Sequence, residues 1–281
     1  MPDPDKLLRT LRRAIDACRD TLGRKGRVVT LTDVEELFAT GDLHGNLANF
    51  QALLKQADLC NHGRRHLVLQ ELVHGPNRYP DGGGDKSHQL LDLAAALKCQ
   101  YPRQVHILPG NHEFGQFTGR AILKGDDDLN ELFERGVATA YGERASEVYA
   151  AYMELIAAAP LMLRTPNRVV LTHSLPAALK FDRFHLSDLE RDAVPEDMDS
   201  NGSVHLLVWG RDVRAEHVRR FLEAIDADLL ITGHIPTDAG FIVPNDRQLI
   251  LDSVGTPAGY CLFPTTRPLT HAELLQHVGT V

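Results

Sequence analysis

The sequence predicts an α/β fold, and two observations carry that prediction. Short apolar runs alternate with helical periodicities through the first half of the chain, in the order strand, helix, strand, helix, strand. That order implies parallel strands joined by crossover helices. Several of the apolar runs end in polar residues of metal-binding type, and open α/β sheets bind ligands at the carboxyl ends of their strands.

Each element has its own justification. Leu7, Leu8, Leu11, Ile15, Cys18 and Leu22 recur at helical spacing, so residues 1–26 supply an amphipathic helix packed on the body and closed by Gly23 and Gly26. Leu37-Phe38-Ala39 can close a strand before Gly41-Asp42-Leu43-His44-Gly45. A helix follows over residues 47–57, with Leu47, Phe50, Leu53 and Leu54 inward. Residues 66–69 form a strand, and a Pro/Gly-rich loop runs over 74–85. A helix over 87–100 precedes the strand 105–108, which runs into Pro109-Gly110-Asn111-His112-Glu113. Residues 129–159 are helical, 168–172 form a strand ending at His173, and 182–202 form an acidic loop. Residues 204–209 read as a strand and 215–225 as a helix. Residues 229–232 are a strand ending at Gly233-His234. Three short runs, 240–243, 248–251 and 260–263, read as antiparallel strands between turns. Residues 265–281 form a C-terminal tail. No repeat or long linker divides the chain, so one domain over 1–281 is expected.

Composition narrows the class. The chain has 281 residues, 43% hydrophobic and 24% charged, as a globular protein should. A net charge of -8 provides no global basic face for nucleic acid, and Arg64-Arg65 reads as solvated surface. The four cysteines contain no C-x-x-C pair, so a thiolate zinc site is not expected, and Cys18 and Cys99 read as buried thiols. No segment reaches the roughly 20 apolar residues of a membrane span. The N-terminus lacks a signal-peptide core. These features predict a cytoplasmic enzyme with no membrane partner.

The strand ends carry Asp42 and His44, then Glu71, then Asn111 and His112, then His173, then His234. An aspartate and a histidine two apart aim an oxygen and a nitrogen at one point, as a metal site requires. Alone, the same residues suit a polar turn with a helix cap. Five strand ends bearing ligand-type residues favour the metal. The other histidines, including His106 and His205 within strands, read as ordinary core or surface residues.

These motifs resemble those of the calcineurin-like metallophosphoesterases. The nearer branch is the phosphoprotein phosphatases, which include protein Ser/Thr phosphatases and bacterial diadenosine tetraphosphatases. Gly41-Asp42-Leu43-His44-Gly45 fits G-D-x-H-G, and Gly110-Asn111-His112-Glu113 fits G-N-H-E. Leu171-Thr172-His173 and Ile231-Thr232-Gly233-His234 fit the strands that end in ligand histidines. The resemblance spans residues 34–264. It implies a four-layer α/β/β/α sandwich of two mixed sheets flanked by helices. It also implies two divalent ions activating a bridging water for phosphoester hydrolysis. Asp42 and His44 would hold the first ion, and Asn111, His173 and His234 the second. His112 would protonate the leaving alkoxide. Mixed oxygen and nitrogen ligands suit Mn, Fe, Zn or Co, with Mn favoured. The partner would be a phosphorylated substrate: a phosphoprotein first, or a nucleotide polyphosphate or small phosphoester.

The third family motif, G-D-x-x-D-R-G, is altered here to Gln70-Glu71-Leu72-Val73-His74-Gly75-Pro76. Glu71 stands for the bridging aspartate. His74 replaces the aspartate that orients the general acid, and could itself bind metal, relay a proton or contact substrate. Gly75 replaces a phosphate-gripping arginine. Asp81, Asp85, Arg78 and Lys86 in the next loop are candidates to compensate. Arg211 matches the family's second phosphate-binding arginine, with Arg214 as its alternate. Asp252 is expected to support a ligand histidine. A rewired hydrolase and an impaired pseudophosphatase that binds phosphate or protein both fit these changes.

Overall fold

The computed structural model describes residues 3–281; Met1 and Pro2, which begin the acidic N-terminus, lie outside the described residues. The strands are β1 Arg24–Lys25, β2 Val28–Thr30, β3 Glu36–Asp42, β4 Arg65–Gln70, β5 Val105–Leu108, β6 Leu123–Lys124 and β7 Asp127–Asp128. They continue as β8 Met162–Arg164, β9 Val169–Thr172, β10 Leu229–Thr232, β11 Phe241–Ile242, β12 Gln248–Leu251, β13 Gly259–Pro264 and β14 Val278–Thr280. The helices are α1 Pro4–Arg19, α2 Leu47–Ala57, α3 His88–Gln100, α4 Asn111–Thr118 and α5 Leu129–Tyr141. After them come α6 Ala145–Ala158, α7 Leu186–Leu189, α8 Ser203–Trp209, α9 Ala215–Ala224 and α10 His271–Leu275.

Two mixed sheets pack face to face with helices outside. One has the order β14-β13-β3-β4-β5, the other β1-β2-β8-β9-β10-β12-β11. The layering follows from residue alternation, because successive strand side chains point to opposite faces. In β3, Phe38 packs outward under the helices while Leu37 and Ala39 pack inward between the sheets. In β4, Leu67 and Leu69 face α2 and α3, and Val68 faces the other sheet. In the second sheet Val170 and Leu230 pack under α8 and α9, while Val169, Leu171, Leu229 and Ile231 meet the first sheet. Strands buried on both faces read as continuous apolar runs, which is why they were legible.

α1 starts where Asp3 accepts hydrogen bonds from the Asp5 and Lys6 amides at 3.0 and 3.1 Å, with Pro4 as its first residue. It buries Leu7, Leu8, Leu11, Ile15 and Cys18, but it stops at Arg19 and leaves Leu22 64% exposed, outside the apolar stripe expected of it. The segment after it pairs as the hairpin β1–β2.

Several sequence expectations need correction. Residues 204–209 are not a strand but the helix α8, so His205 is helical too. Six residues cannot separate the two periods: as a helix the run buries Val204, Leu207 and Val208 against the second sheet. The last strands are not one antiparallel set. β12 runs parallel to β10 and antiparallel to β11, while β13 joins the other sheet against β3. The tail forms α10 and adds β14 to the edge of β13. Arg65 is buried rather than solvated, forked onto Glu36 at 2.7 and 3.0 Å with its remaining donor on the Ala57 carbonyl. Cys99 is only half-buried, and all four cysteines are free. Among the described residues no helix is long and apolar enough to cross a membrane.

Candidate metal centre

The carboxyl ends of β3, β4 and β5 from one sheet, and of β10 from the other, open into a cleft of about 780 Å³, and His173 at the end of β9 lies buried against its floor residues Asn111 and His234. The sheets are tied there by a parallel bridge between Asp42 and Asp252. Each strand end delivers the residue expected of it.

The backbone is shaped for convergence. His44, Glu71, His74 and His234 have φ of 40°, 38°, 64° and 70°, the left-handed region that side chains other than glycine avoid. Such residues cost on the order of 1–3 kcal/mol each and persist where their surroundings over-determine them. Here they do: the Glu71 carbonyl accepts from the Leu43 and His44 amides at 2.9 Å, the His74 amide donates to Ser87 Oγ at 2.9 Å, and the His234 amide donates to Asp42 Oδ2 at 2.8 Å. Two motif glycines are demanded by close approach. A Cβ on Gly110 would stand 2.2 Å from Glu71 Oε1, and one on Gly233 would stand 2.1 Å from Asp42 Oδ1.

Around His173 Nε2 gather Asn111 Oδ1 and His234 Nδ1, each at 3.1 Å, and Glu71 Oε1 at 3.5 Å. On the other side of Glu71, its Oε2 lies 3.3 Å from His44 Nε2, whose Nδ1 is held by the Val73 carbonyl at 2.8 Å. That bond leaves Nε2 as the atom turned to the carboxylate. Two groups of potential ligand atoms result, Asp42–Glu71–His173 and His44–Glu71–His112, and Glu71 belongs to both. The cluster is short of positive charge and of donors. Asp42 Oδ1, His173 Nδ1 and His234 Nε2 are buried without a hydrogen-bond partner. Burial and the nearby Glu71 carboxylate push the Asp42 carboxyl up. Burial also opposes charge on Glu71, but the rings of His173, His112 and His44 hold its carboxyl well below the usual range. Burial opposes charge on His44 as well, yet Glu71 and Asp42 raise it to about 10. Two buried carboxylates facing ring nitrogens and an amide oxygen at these distances make a donor set that fits divalent cations.

His112 and His74 form the cleft's second feature. Their Nδ1 atoms are 2.9 Å apart, and His74 Nε2 lies 2.9 Å from Gln116 Oε1. His74 is thus turned to His112 and Gln116. Burial, then the neighbouring His112 ring, lowers its pKa to about 3. Burial likewise lowers His112 to about 4 against the pull of Glu71.

The other expected residues divide. Arg211 and Arg78 line the cleft. The positive charge of Arg211 reaches His112, His173 and His234. Arg214 is exposed and occupied by Asp212, at 2.6 and 2.9 Å. Asp85 does not face the cleft: buried, it accepts from the Ser87 amide and hydroxyl and the Gly75 amide, so it shapes the loop, with Arg78 3.9 Å away. Lys86 lies over the Tyr79 ring, and Asp81 is exposed away from the cleft. Asp252 hydrogen-bonds no histidine; its carboxylate accepts from the Thr237 and Val254 amides, in the loops after β10 and β12.

Sequence reasoning missed two residues. Glu113 accepts from the Leu72, Val73 and Gly110 amides at 2.6–3.0 Å, clamping the Glu71 loop to the start of α4. Burial, then Glu71, raises its carboxyl to about 7. Gln116 is the other, and its spacing of four from His112 on one helix was the available signal. Lys124 and Leu123, on the β6–β7 hairpin, also line the cleft.

The sequence pattern of the calcineurin-like phosphoesterases matches residues 37–238, which include every strand end of the cleft. The chain belongs to this family. Its curated relatives are phosphatases. A probable serine/threonine-protein phosphatase of Encephalitozoon cuniculi is 26% identical over 236 residues, 76% of this chain and 46% of the relative. Human serine/threonine-protein phosphatase 5 is 22% identical over 89% of this chain and 54% of its own length. The chain thus spans about half the length of these relatives. Among solved structures, a Saccharomyces cerevisiae protein serine/threonine phosphatase with similarity to human PP5 superposes at a TM-score of 0.70. That match has 15% identity and covers 100% of this chain and 89% of the other. A cold-active protein-tyrosine phosphatase of a Shewanella species gives 0.62 at 14% identity, covering 94% and 84%. These likenesses agree with the two-sheet calcineurin-like fold. The family is one of metal-dependent phosphoesterases.

Proposed function

We propose that the cleft hydrolyses phosphomonoesters with two divalent ions, as a Ser/Thr protein phosphatase-like enzyme. The observation that carries this reading is Glu71, whose carboxylate belongs to both groups of ligand atoms. Asp42 and His44 would hold one ion, Asn111, His173 and His234 the other, and Glu71 would join them; without the ions, Asp42 lies grouped with His173 and His44 with His112. Bound there, the ions would polarise the phosphate and activate a water nucleophile. Manganese heads the candidates, ahead of iron, zinc and cobalt. Free thiols throughout accord with a cytoplasmic location.

The chain's own groups supply the rest. Arg211, with Arg78 also lining the cleft, grips phosphate oxygens. His112 acts from Nε2, the ring atom that His74 does not occupy, by taking up a proton there from solvent water and passing it to the leaving oxygen. The apolar walls at Ile122, Leu123 and Trp209 accept the substrate's leaving group.

The test strips the protein of metal, reloads it with manganese, and follows p-nitrophenyl phosphate and a phosphoserine peptide. The expected result is about two ions per chain and turnover that depends on them. Two ions with no turnover on any phosphoester would overturn the reading in favour of a pseudophosphatase.

Glu71→Asp separates a rewired site from a decayed one. Glu71 Oε1 also accepts from the His112 amide at 2.9 Å, and its second oxygen reaches towards His44. An aspartate, one methylene shorter, cannot span both. Metal affinity and kcat/KM should each fall roughly 10-fold, read by metal titration and steady-state kinetics; a gain would mark Glu71 as a lesion.

A further inference from the structure

We infer that Gln116 is a positioning residue, set by Glu134 and Tyr149, which fixes the tautomer of His74 and through it that of His112. The inference rests on the reading above, in which His112 touches the substrate.

The reasoning is hydrogen-bond accounting. A glutamine amide has an accepting end and a donating end that look alike by shape, so its neighbours decide which is which. The nitrogen of Gln116 lies 2.7 Å from Tyr149 Oη and 3.4 Å from Glu134 Oε1. A carboxylate only accepts, so the NH2 group must face it. Gln116 Oε1 therefore faces His74 and can only accept. His74 Nε2, 2.9 Å away, must carry the proton. Neutral His74 then has a lone pair on Nδ1. His112 Nδ1, 2.9 Å from that lone pair, must donate. His112 Nε2 is left for the cleft as a lone pair, and it serves as the acid once it has taken up a proton from solvent water. The Tyr149 hydroxyl can donate or accept, so the direction of the chain is set by the Glu134 carboxylate, which can only accept.

The chain answers what stands where the family places a carboxylate. A carboxylate accepts whatever its surroundings. An imidazole accepts on Nδ1 only if something holds its proton on Nε2. Gln116, 3% exposed and one helical turn beyond His112 on α4, is that holder. Glu134 reaches it from α5 and Tyr149 from α6.

The test reads the tautomers directly. Long-range proton–nitrogen NMR of the zinc-loaded protein, zinc being diamagnetic, should find His74 protonated on Nε2 and His112 on Nδ1. Gln116→Met keeps the bulk and removes the acceptor. It should scramble the His74 tautomer and lower kcat on phenyl phosphate roughly 10-fold. KM, metal content and the rate on 2,4-dinitrophenyl phosphate, whose leaving group needs no proton, should hold. The exchange Gln116→Glu with Glu134→Gln restores acceptor and donor in swapped places and should restore both tautomer and kcat. His74 found protonated on Nδ1 in the wild type would overturn the inference, as would unchanged tautomers in Gln116→Met. If Gln116→Met does not fold, the wild-type spectrum and the exchanged pair still decide. A wild type inert on every phosphoester would sink the proposed reaction, while the tautomers would still judge this chain of bonds.

Discussion

Asp42→Asn should abolish metal binding and hydrolysis together while leaving the fold intact. Asp42 Oδ2 accepts from the His234 amide, and Oδ1 is buried with no hydrogen-bond partner. An asparagine keeps the first bond and sets an NH2 group at the second position. A donor then stands where a lone pair is required. The substitution also removes a carboxylate that burial and Glu71 disfavour, so the metal-free variant should melt no lower than wild type. Loss of an outer partner of a metal ligand typically costs roughly 10–100-fold in affinity or activity; loss of the ligand itself should exceed that. Thermal denaturation adds a second readout, since a ligand at about 100 times its Kd stabilises by about 2.7 kcal/mol. Added manganese should raise the wild-type Tm and leave that of Asp42→Asn unmoved. His234→Ala should behave alike, because it removes the Nδ1 that lies 3.1 Å from His173 Nε2. Full metal content in either variant would rule out the ligand assignment.

His112→Ala should keep its metal and lose turnover. The side chain makes one hydrogen bond, to His74, and its backbone amide bond to Glu71 survives the substitution. General acid catalysis contributes about 10²–10⁴-fold, so kcat on a phosphoserine peptide or phenyl phosphate should fall within that range. The effect should shrink as the leaving group improves, and 2,4-dinitrophenyl phosphate should lose least. His112 also falls in one of the two ligand groups, with His44 and Glu71. Metal analysis therefore divides its two possible roles: a variant that loses an ion makes His112 a ligand, and one that retains both makes it the acid. Equal rates on a poor leaving group would exclude the acid role.

The centre was legible from sequence because it lies at strand ends. β4, β5, β9 and β10 are buried on both faces, so each carries a short, mostly hydrophobic run, and the polar residues that follow each run stand out. β3 is buried nearly throughout, and its Asp42 and the following His44 came from the Asp-x-His pattern between glycines. α8 was illegible as a helix because a run of six residues, five of them apolar, satisfies either period. Arg65 was misread because its partner Glu36 is far away in sequence and adjacent only through the β3–β4 register. The role of Asp252 likewise depended on Thr237, distant in sequence and brought to it by the loop after β10.

The sequence alone determined the ligand types, their order and the strand ends that bear them, since these follow from local pattern and spacing. Tertiary structure alone decided which atoms meet. It set Glu71 between two ligand groups, His74 against His112, and Gln116 behind His74. The reason is physical: side-chain type and strand period are local properties of the chain. Hydrogen-bond direction and charge pairing belong to groups from different strands and helices, brought within about 3 Å only when two sheets pack. The altered third motif shows the division most clearly. Read in line, Gln70-Glu71-Leu72-Val73-His74 is a set of substitutions; folded, His74 occupies a position that a glutamine, a tyrosine and a glutamate on three helices help to define.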